Sequence, residues 1–121
     1  MNDISEYSQA EIIKLLRSTD EEVVSQALLY MTFNIQDADW IQKTCLEFIS
    51  TNENDSMRGL AITCLGHVAR IHGKINEEHT VPALMLYLEN ESLSQRAQNA
   101  LDDIEIFVLR KGKGRFSSVV R

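Results

Sequence analysis

The chain contains few of the residues that build tight turns between strands. Its 121 residues include one proline and five glycines. β-Sandwiches and barrels need many such turns, so this scarcity favours helices. Long apolar runs are also missing: no run approaches the roughly 18 residues of a membrane-spanning helix. Because a chain of this length supports one hydrophobic core, we expect a single helical domain.

The sequence also lacks targeting and metal-binding signatures. Its first residues, Met-Asn-Asp-Ile-Ser-Glu, have neither the basic nor the apolar region of a signal peptide, so a cytoplasmic protein with no membrane partner is expected. Cys45 and Cys64 are the two cysteines, and both fall on apolar positions of predicted helices. Their spacing is not that of a metal-binding pair. We expect both to be small, reduced core residues.

An apolar pattern occurs three times in the same helical register. The copies are 34 and 36 residues apart, measured between Ala27, Ala61 and Ala97. Offsets of i, i+4, i+7, i+8 and i+11 place the apolar residues along one side of a helix. The members are Val23, Ala27, Tyr30 and Met31; Met57, Ala61, Cys64, Leu65 and Val68; and Leu93, Ala97, Ala100, Leu101 and Ile104. This period predicts an array of stacked helix pairs.

Each copy is preceded by a second helix-like segment and a short polar turn. The first segment opens with a capping box of Ser8 and Glu11. Gly73 suits the end of the fourth helix, and Pro82 suits the first turn of the fifth. The pattern therefore predicts six helices in three antiparallel hairpins over residues 1–109, followed by a basic tail at residues 110–121.

These residues resemble the HEAT-repeat family. Residues 15–27 are similar to its leucine pair, polar turn, valine and alanine, although Val24 stands where arginine is expected. The string Met57-Arg58-Gly59-Leu60-Ala61, followed by Leu65-Gly66, is a closer match. Residues 93–104 keep the apolar positions but have Ser94 in place of arginine. The resemblance covers residues 8–106 and implies an all-α fold, a right-handed α-solenoid.

Charge is distributed unevenly along the chain. Residues 1–60 carry a net charge of −7, residues 61–105 carry −4 and residues 106–121 carry +5, within an overall −6. An acidic body repels nucleic-acid phosphates and attracts basic proteins, so a basic protein partner is expected and no direct nucleic-acid ligand. The basic tail has three interpretations: a flexible end, a segment that folds back on the acidic body, or an arm that binds a partner or nucleic acid.

Patterns that carry catalysis are scarce. His67 and His72 are five residues apart, so on a helix they would point about 140° from each other, unlike the i, i+4 pair that chelates a metal. No Gly-x-Ser-x-Gly nucleophile motif occurs. The string Lys111-Gly-Lys113-Gly lacks the remainder of a phosphate-binding loop. We expect a protein that is not an enzyme and has no cofactor, metal or small-molecule ligand.

Ligands of helical arrays usually bind the surface formed by the second helix of each pair. Phe33 occupies an outward position there and is a candidate apolar anchor, because exposed aromatic residues are typical of interface hot spots. An alternative is that Phe33 covers the neighbouring hairpin. The predicted partner-binding residues are Phe33, Glu22, His67, Asn99, Asp102 and Asp103.

The small size, acidic charge and HEAT-like pattern together resemble the small bacterial immunity proteins of toxin/immunity systems, including contact-dependent growth inhibition. This resemblance implies an inhibitor that forms a heterodimer with a cognate, basic protein toxin. The toxin would be a nuclease, blocked by occlusion of its active site or an adjacent exosite. A HEAT-like scaffold or adaptor in a larger assembly is the alternative, and a nucleic-acid binder using the tail is a third possibility.

Overall fold

The computed structural model describes residues 7–110, which form six α-helices and no strand. The helices are α1 (Gln9–Leu16), α2 (Glu21–Asn34), α3 (Ala38–Thr51), α4 (Asp55–His72), α5 (Thr80–Tyr87) and α6 (Ser94–Ile104). A π-helical turn, Glu105–Leu109, continues α6. The all-α class and the six helices predicted from the sequence are confirmed. The predicted basic tail lies outside the described residues except for Arg110.

Side chains and one glycine define the helix ends. At the start of α1 the Glu11 N–H donates to Ser8 Oγ at 3.1 Å, and the Ser8 N–H donates to Glu11 Oε1 at 2.8 Å. This is the predicted capping box. Asp20 and Asn54 likewise accept from first-turn N–H groups of α2 and α4. Gly73 ends α4 with φ of 68°, a left-handed conformation that glycine adopts without strain, as predicted.

The second helix of each predicted pair forms one continuous layer. α4 packs against α2 on one side and α6 on the other, while α1, α3 and α5 each pack against the helix that follows them. The apolar stripe of the sequence is the core of this layer: Met31, Leu65 and Val68 are fully buried. Apolar burial at these positions is what joins three short hairpins that could not fold alone. In this layer α2, α4 and α6 lie side by side, and one face of the layer is turned away from the core.

Small residues allow the layer helices to approach each other. Ala61 and Ala97 are completely buried, and Ala27 is nearly so. At the α4–α6 contact, a β-carbon on Gly66 would lie 3.3 Å from the Cα of Ala100. This is tighter than an ordinary van der Waals contact, so a larger side chain would push α6 away from α4.

One buried polar residue ties the α4–α5 connection to α3. Gln42 is 2% exposed, and its Oε1 accepts from the Asn76 N–H at 2.8 Å and from Thr80 Oγ1 at 2.7 Å. Its Nε2 donates to the Ala38 carbonyl at 3.0 Å. These bonds satisfy the amide in the core, and they fix the start of α5 on α3.

Candidate partner-binding surface

The outward side of α2 is a row of four residues spaced by one helical turn each. Glu22, Gln26, Leu29 and Phe33 lie on this side, opposite the side that α2 buries in the core. Phe33 is 52% exposed and Leu29 is 37% exposed. Glu22 lies about 16 Å along the helix from Phe33. The row therefore has an apolar end and an acidic end.

Phe33 contacts one aromatic ring of the next hairpin, the imidazole of His67. The centroid of the Phe33 ring is 5.3 Å from that of the half-buried His67 imidazole on α4, with 43° between the ring planes. Phe33 thus packs partly on the neighbouring hairpin, as the alternative interpretation supposed, while half of its surface stays exposed. An aromatic side chain held on one side and free on the other has lost rotamer freedom before any partner arrives.

His67 is held in its neutral form. Arg70 Nη1 lies 2.9 Å from His67 Nδ1, and because guanidinium only donates, Nδ1 must accept, which leaves the ring proton on Nε2. Burial lowers the pKa of His67 below its ordinary 6.5, the Arg70 charge lowers it further, and Asp103 partly offsets both. The imidazole that contacts Phe33 is therefore uncharged at neutral pH.

α6 supplies the acidic part of this surface. Asp103 is half-buried, and its carboxylate lies over Gly66 of α4, close enough to affect the His67 titration. Asn99 lies one turn earlier on the same side of α6 and accepts from Gln95 Nε2 at 3.1 Å. Phe33, His67 and Asp103 thus form a row across the three layer helices. We call the outward side of α2, α4 and α6 that contains this row the α2–α4–α6 face.

Two of the predicted residues, Glu22 and Asp102, lie outside the row formed by Phe33, His67 and Asp103. Asp102 is exposed on a neighbouring side of α6, where it accepts from Gln98 Nε2 at 3.0 Å. Glu22 is exposed at the start of α2, and Gln26 Nε2 lies 3.4 Å from its Oε2. Both carboxylates are accessible at the margins of the α2–α4–α6 face rather than at its centre.

Two arginines on this face were not predicted from the sequence. Arg70 contacts His67, and Arg96 Nη1 donates to Thr63 Oγ1 at 2.8 Å, which links α6 to α4. Arg70 could have been found from its i+3 spacing to His67, since residues three apart on a helix are neighbours. Arg96 could not, because its partner lies 33 positions away. The face therefore carries guanidinium groups beside its carboxylates.

Among residues 7–110, no group of three or more His, Cys, Asp or Glu side chains is placed to hold a metal ion. Burial raises the pKa of the Cys64 thiol to about 11 and that of Cys45 well above its ordinary value. Both remain protonated thiols in the core, and a thiol is a weak nucleophile. Within the same range, no helix is long and apolar enough to cross a bilayer.

The fold has a counterpart among solved structures. Neither a protein-family model nor a curated protein matches the chain. A chain in the crystal structure of a CDI complex from Cupriavidus taiwanensis is similar, with a TM-score of 0.75 and 29% sequence identity. The match covers 88% of this chain and 96% of that chain. The chain is therefore an all-helical protein similar to a component of a CDI complex.

Proposed function

We propose that the chain is an immunity protein that binds one cognate toxin of a contact-dependent growth inhibition (CDI) system and blocks it by occlusion. The similarity to a chain of the Cupriavidus taiwanensis CDI complex carries this proposal. Because the match covers 88% of one chain and 96% of the other, it concerns a whole fold rather than a shared helix pair. The scaffold in this proposal is a right-handed, HEAT-like α-solenoid, and the layer of α2, α4 and α6 supports it.

The toxin would bind the α2–α4–α6 face. Phe33 is its apolar anchor, because it presents half of its surface while His67 holds the other side. Leu29 extends the apolar area by one turn of α2. Aromatic residues at the centre of an interface contribute most of the binding energy in typical complexes, and a ring already fixed in place loses little entropy on binding.

Charge would select a basic toxin, such as a nuclease. Glu22 and Asp102 lie at the margins of the α2–α4–α6 face, Asp103 lies within it, and the whole chain carries a net charge of −6. Such a field accelerates association with a cationic protein and disfavours wrong partners. A nuclease concentrates positive charge where it binds phosphates, so this field would direct the chain to the active site or an adjacent exosite.

Inhibition of this kind requires no catalysis by the immunity protein. A one-to-one complex blocks the toxin for as long as it persists, and the dissociation rate sets that time. We therefore propose a non-enzymatic heterodimer that acts in the cytoplasm and uses no cofactor, small molecule or nucleic acid. The buried Cys45 and Cys64 thiols take no part in it.

Affinity capture followed by a growth assay tests this function. The tagged chain is used to capture partners from the native cell at low and moderate salt, and each captured protein is then expressed with and without the chain. We expect one basic protein, recovered near one-to-one, that arrests growth alone and is harmless beside the chain. Recovery of several subunits of one assembly would instead support the adaptor. Recovery of nucleic acid that is lost as salt rises would support a nucleic-acid binder.

A pair of charge reversals tests the location of the interface. Asp102→Lys/Asp103→Lys should weaken toxin binding and slow association, because two carboxylates of the proposed site become cations. Glu77→Lys/Glu78→Lys is the matched control, with the same change of charge on exposed residues that precede α5. Calorimetry and stopped-flow mixing measure both, and thermal melting checks that each variant is folded. Equal weakening by the two variants would mean that net charge, and not this site, governs binding.

A further inference from the structure

α5 has an apolar side that faces away from the core. The helix reads Thr-Val-Pro-Ala-Leu-Met-Leu-Tyr, yet only Thr80 and Leu84 of its residues are buried. Met85 is 55% exposed and Leu86 is 72% exposed, the two largest values among the big apolar side chains described. Pro82 lies on the same side, one turn earlier, and is also exposed. A helix that is apolar all round is normally covered on all sides.

Acidic residues border this apolar side at both ends. Glu77 and Glu78 precede α5, and Glu89 and Glu91 follow it, all four exposed. We call this group the α5 patch; it consists of Pro82, Met85 and Leu86 with the four glutamates at its ends. Its pattern along the helix is acidic, apolar, acidic, which suits a segment with the complementary pattern of basic, apolar, basic.

Residues 111–121 have that complementary pattern. They carry Lys111, Lys113 and Arg115, then three apolar residues, and then Arg121, with no acidic residue. The apolar residues are Phe116, Val119 and Val120. We propose that residues 111–121 bind the α5 patch of the same chain, with Phe116 on Pro82, Val119 and Val120 on Met85 and Leu86, and the basic residues beside the glutamates.

The end of the described chain lies within reach of the patch. α5 and α6 pack against each other and are joined by a short turn at residues 88–93, so the two helices run in opposite directions. The end of α6 and its π-helical turn therefore lies near the start of α5. Arg110 is about 25 Å from Leu86, estimated from helix rise and interhelix spacing. Nine extended residues span about 30 Å, so Val119 can reach Leu86.

The same geometry fixes the direction of the segment. It would run from the start of α5 to its end, which brings Lys113 and Arg115 to Glu77 and Glu78 first. Arg121 then arrives beside Glu89 and Glu91, at the far end of the helix. Basic residues then meet acidic residues at both ends of the patch, and the tether to α6 sets this direction. This inference is independent of the proposed toxin, because both surfaces belong to one chain.

A disulfide-trapping experiment on the full chain tests this inference. The variant Leu86→Cys/Val119→Cys is oxidised with glutathione disulfide at low protein concentration and analysed by non-reducing electrophoresis and peptide mass spectrometry. Cys45 and Cys64 stay in place because both are buried thiols. Gln26→Cys/Val119→Cys is the matched control: Gln26 is exposed on α2, about 20 Å from α6 and within reach of Val119, but outside the patch.

We expect an intramolecular disulfide in the Leu86 variant, with a yield about fivefold or more above that of the control, because binding raises the local concentration of the segment. Adding Glu89→Lys/Glu91→Lys to the variant should lower this yield. Equal yields in variant and control would overturn the proposal. A disulfide between two molecules through the Leu86 position would overturn it as well, in favour of a second copy on the patch.

Discussion

A β-carbon placed on Gly66 would lie 2.9 Å from Oδ2 of Asp103 and 3.3 Å from the Cα of Ala100. The missing side chain of Gly66 lets α6 lie close to α4, and it also leaves the space that the Asp103 carboxylate occupies. A packing requirement of the core therefore positions one carboxylate of the proposed interface. The same carboxylate raises the pKa of His67, against the larger effects of burial and Arg70 that lower it.

Gly66→Ala should destabilise the protein by about 1–2 kcal/mol in urea unfolding. The new methyl group meets the backbone of Ala100, which cannot move without shifting α6, and overpacking of this kind costs about 1–3 kcal/mol. The higher helix propensity of alanine offsets up to about 1 kcal/mol of that cost.

Gly59→Ala is the matched control on the same helix. There the added β-carbon would meet Cδ and Nε of Arg96 at 2.8 and 2.9 Å, and a flexible side chain can move aside. We expect unchanged stability or a gain of up to about 1 kcal/mol, with loss of the Arg96–Thr63 hydrogen bond. An equal loss of stability in both variants would contradict the close-approach explanation.

Phe33→Ala should weaken toxin binding by roughly 30-fold, since truncation of a central aromatic residue typically costs about 2 kcal/mol. The melting temperature should change little, because half of the ring is already in solvent. Met85→Ala is the control, since Met85 has nearly the same exposure but lies on α5. Isothermal titration calorimetry measures both affinities. Similar affinities for the two variants would show that Phe33 is not the anchor.

His67 should make stability depend on pH in the mildly acidic range. Its folded-state pKa lies below the unfolded value of 6.5, so the unfolded chain binds a proton first as the pH falls. Above pH 6.5 His67 contributes no pH dependence to the stability. Between pH 6.5 and the folded-state pKa, the protein should lose stability relative to His67→Gln as the pH falls. Urea unfolding of both proteins from pH 8 to pH 5 measures the difference. A constant difference across this range would show that the pKa is not lowered.

Asp103→Asn should lower the pKa of His67 further. The negative charge of Asp103 raises this pKa, whereas burial and the positive charge of Arg70 lower it. Titration of the His67 ring protons by NMR gives the pKa in both proteins directly. A pKa that rises in the variant would mean that Asp103 does not act on the imidazole.

Gln42→Met should destabilise the protein by about 2–4 kcal/mol, because the Asn76 N–H and the Thr80 hydroxyl both lose their acceptor. Methionine has a similar volume, so little of this loss comes from packing. Gln98→Met is the control on an exposed position and should change stability by less than about 0.5 kcal/mol. Thermal and urea unfolding measure both. A loss below about 1 kcal/mol in the Gln42 variant would mean that the loop keeps its position without this amide.

The helices and their caps were predictable because they follow from local rules. Ser8 with Glu11 and the glycine at position 73 are signals that a few neighbouring residues define. Gln42 was not predictable, since its partners Asn76 and Thr80 are more than 30 positions away. The candidate surface shows the same limit: the outward position of Phe33 follows from the helical period, but its contact with His67 requires knowing how α2 lies on α4.

α4 contacts α2, α3 and α6, whereas α1 packs mainly on α2. Amide hydrogens should therefore exchange with solvent on very different timescales within one small domain. Opening of α1 breaks its contacts with a single neighbouring helix. Opening of α4 separates α2 from α6 and therefore amounts to global unfolding. Among residues 7–110, the amide protons of the buried Leu65 and Val68 should exchange most slowly. Their exchange rates would report the full free energy of unfolding.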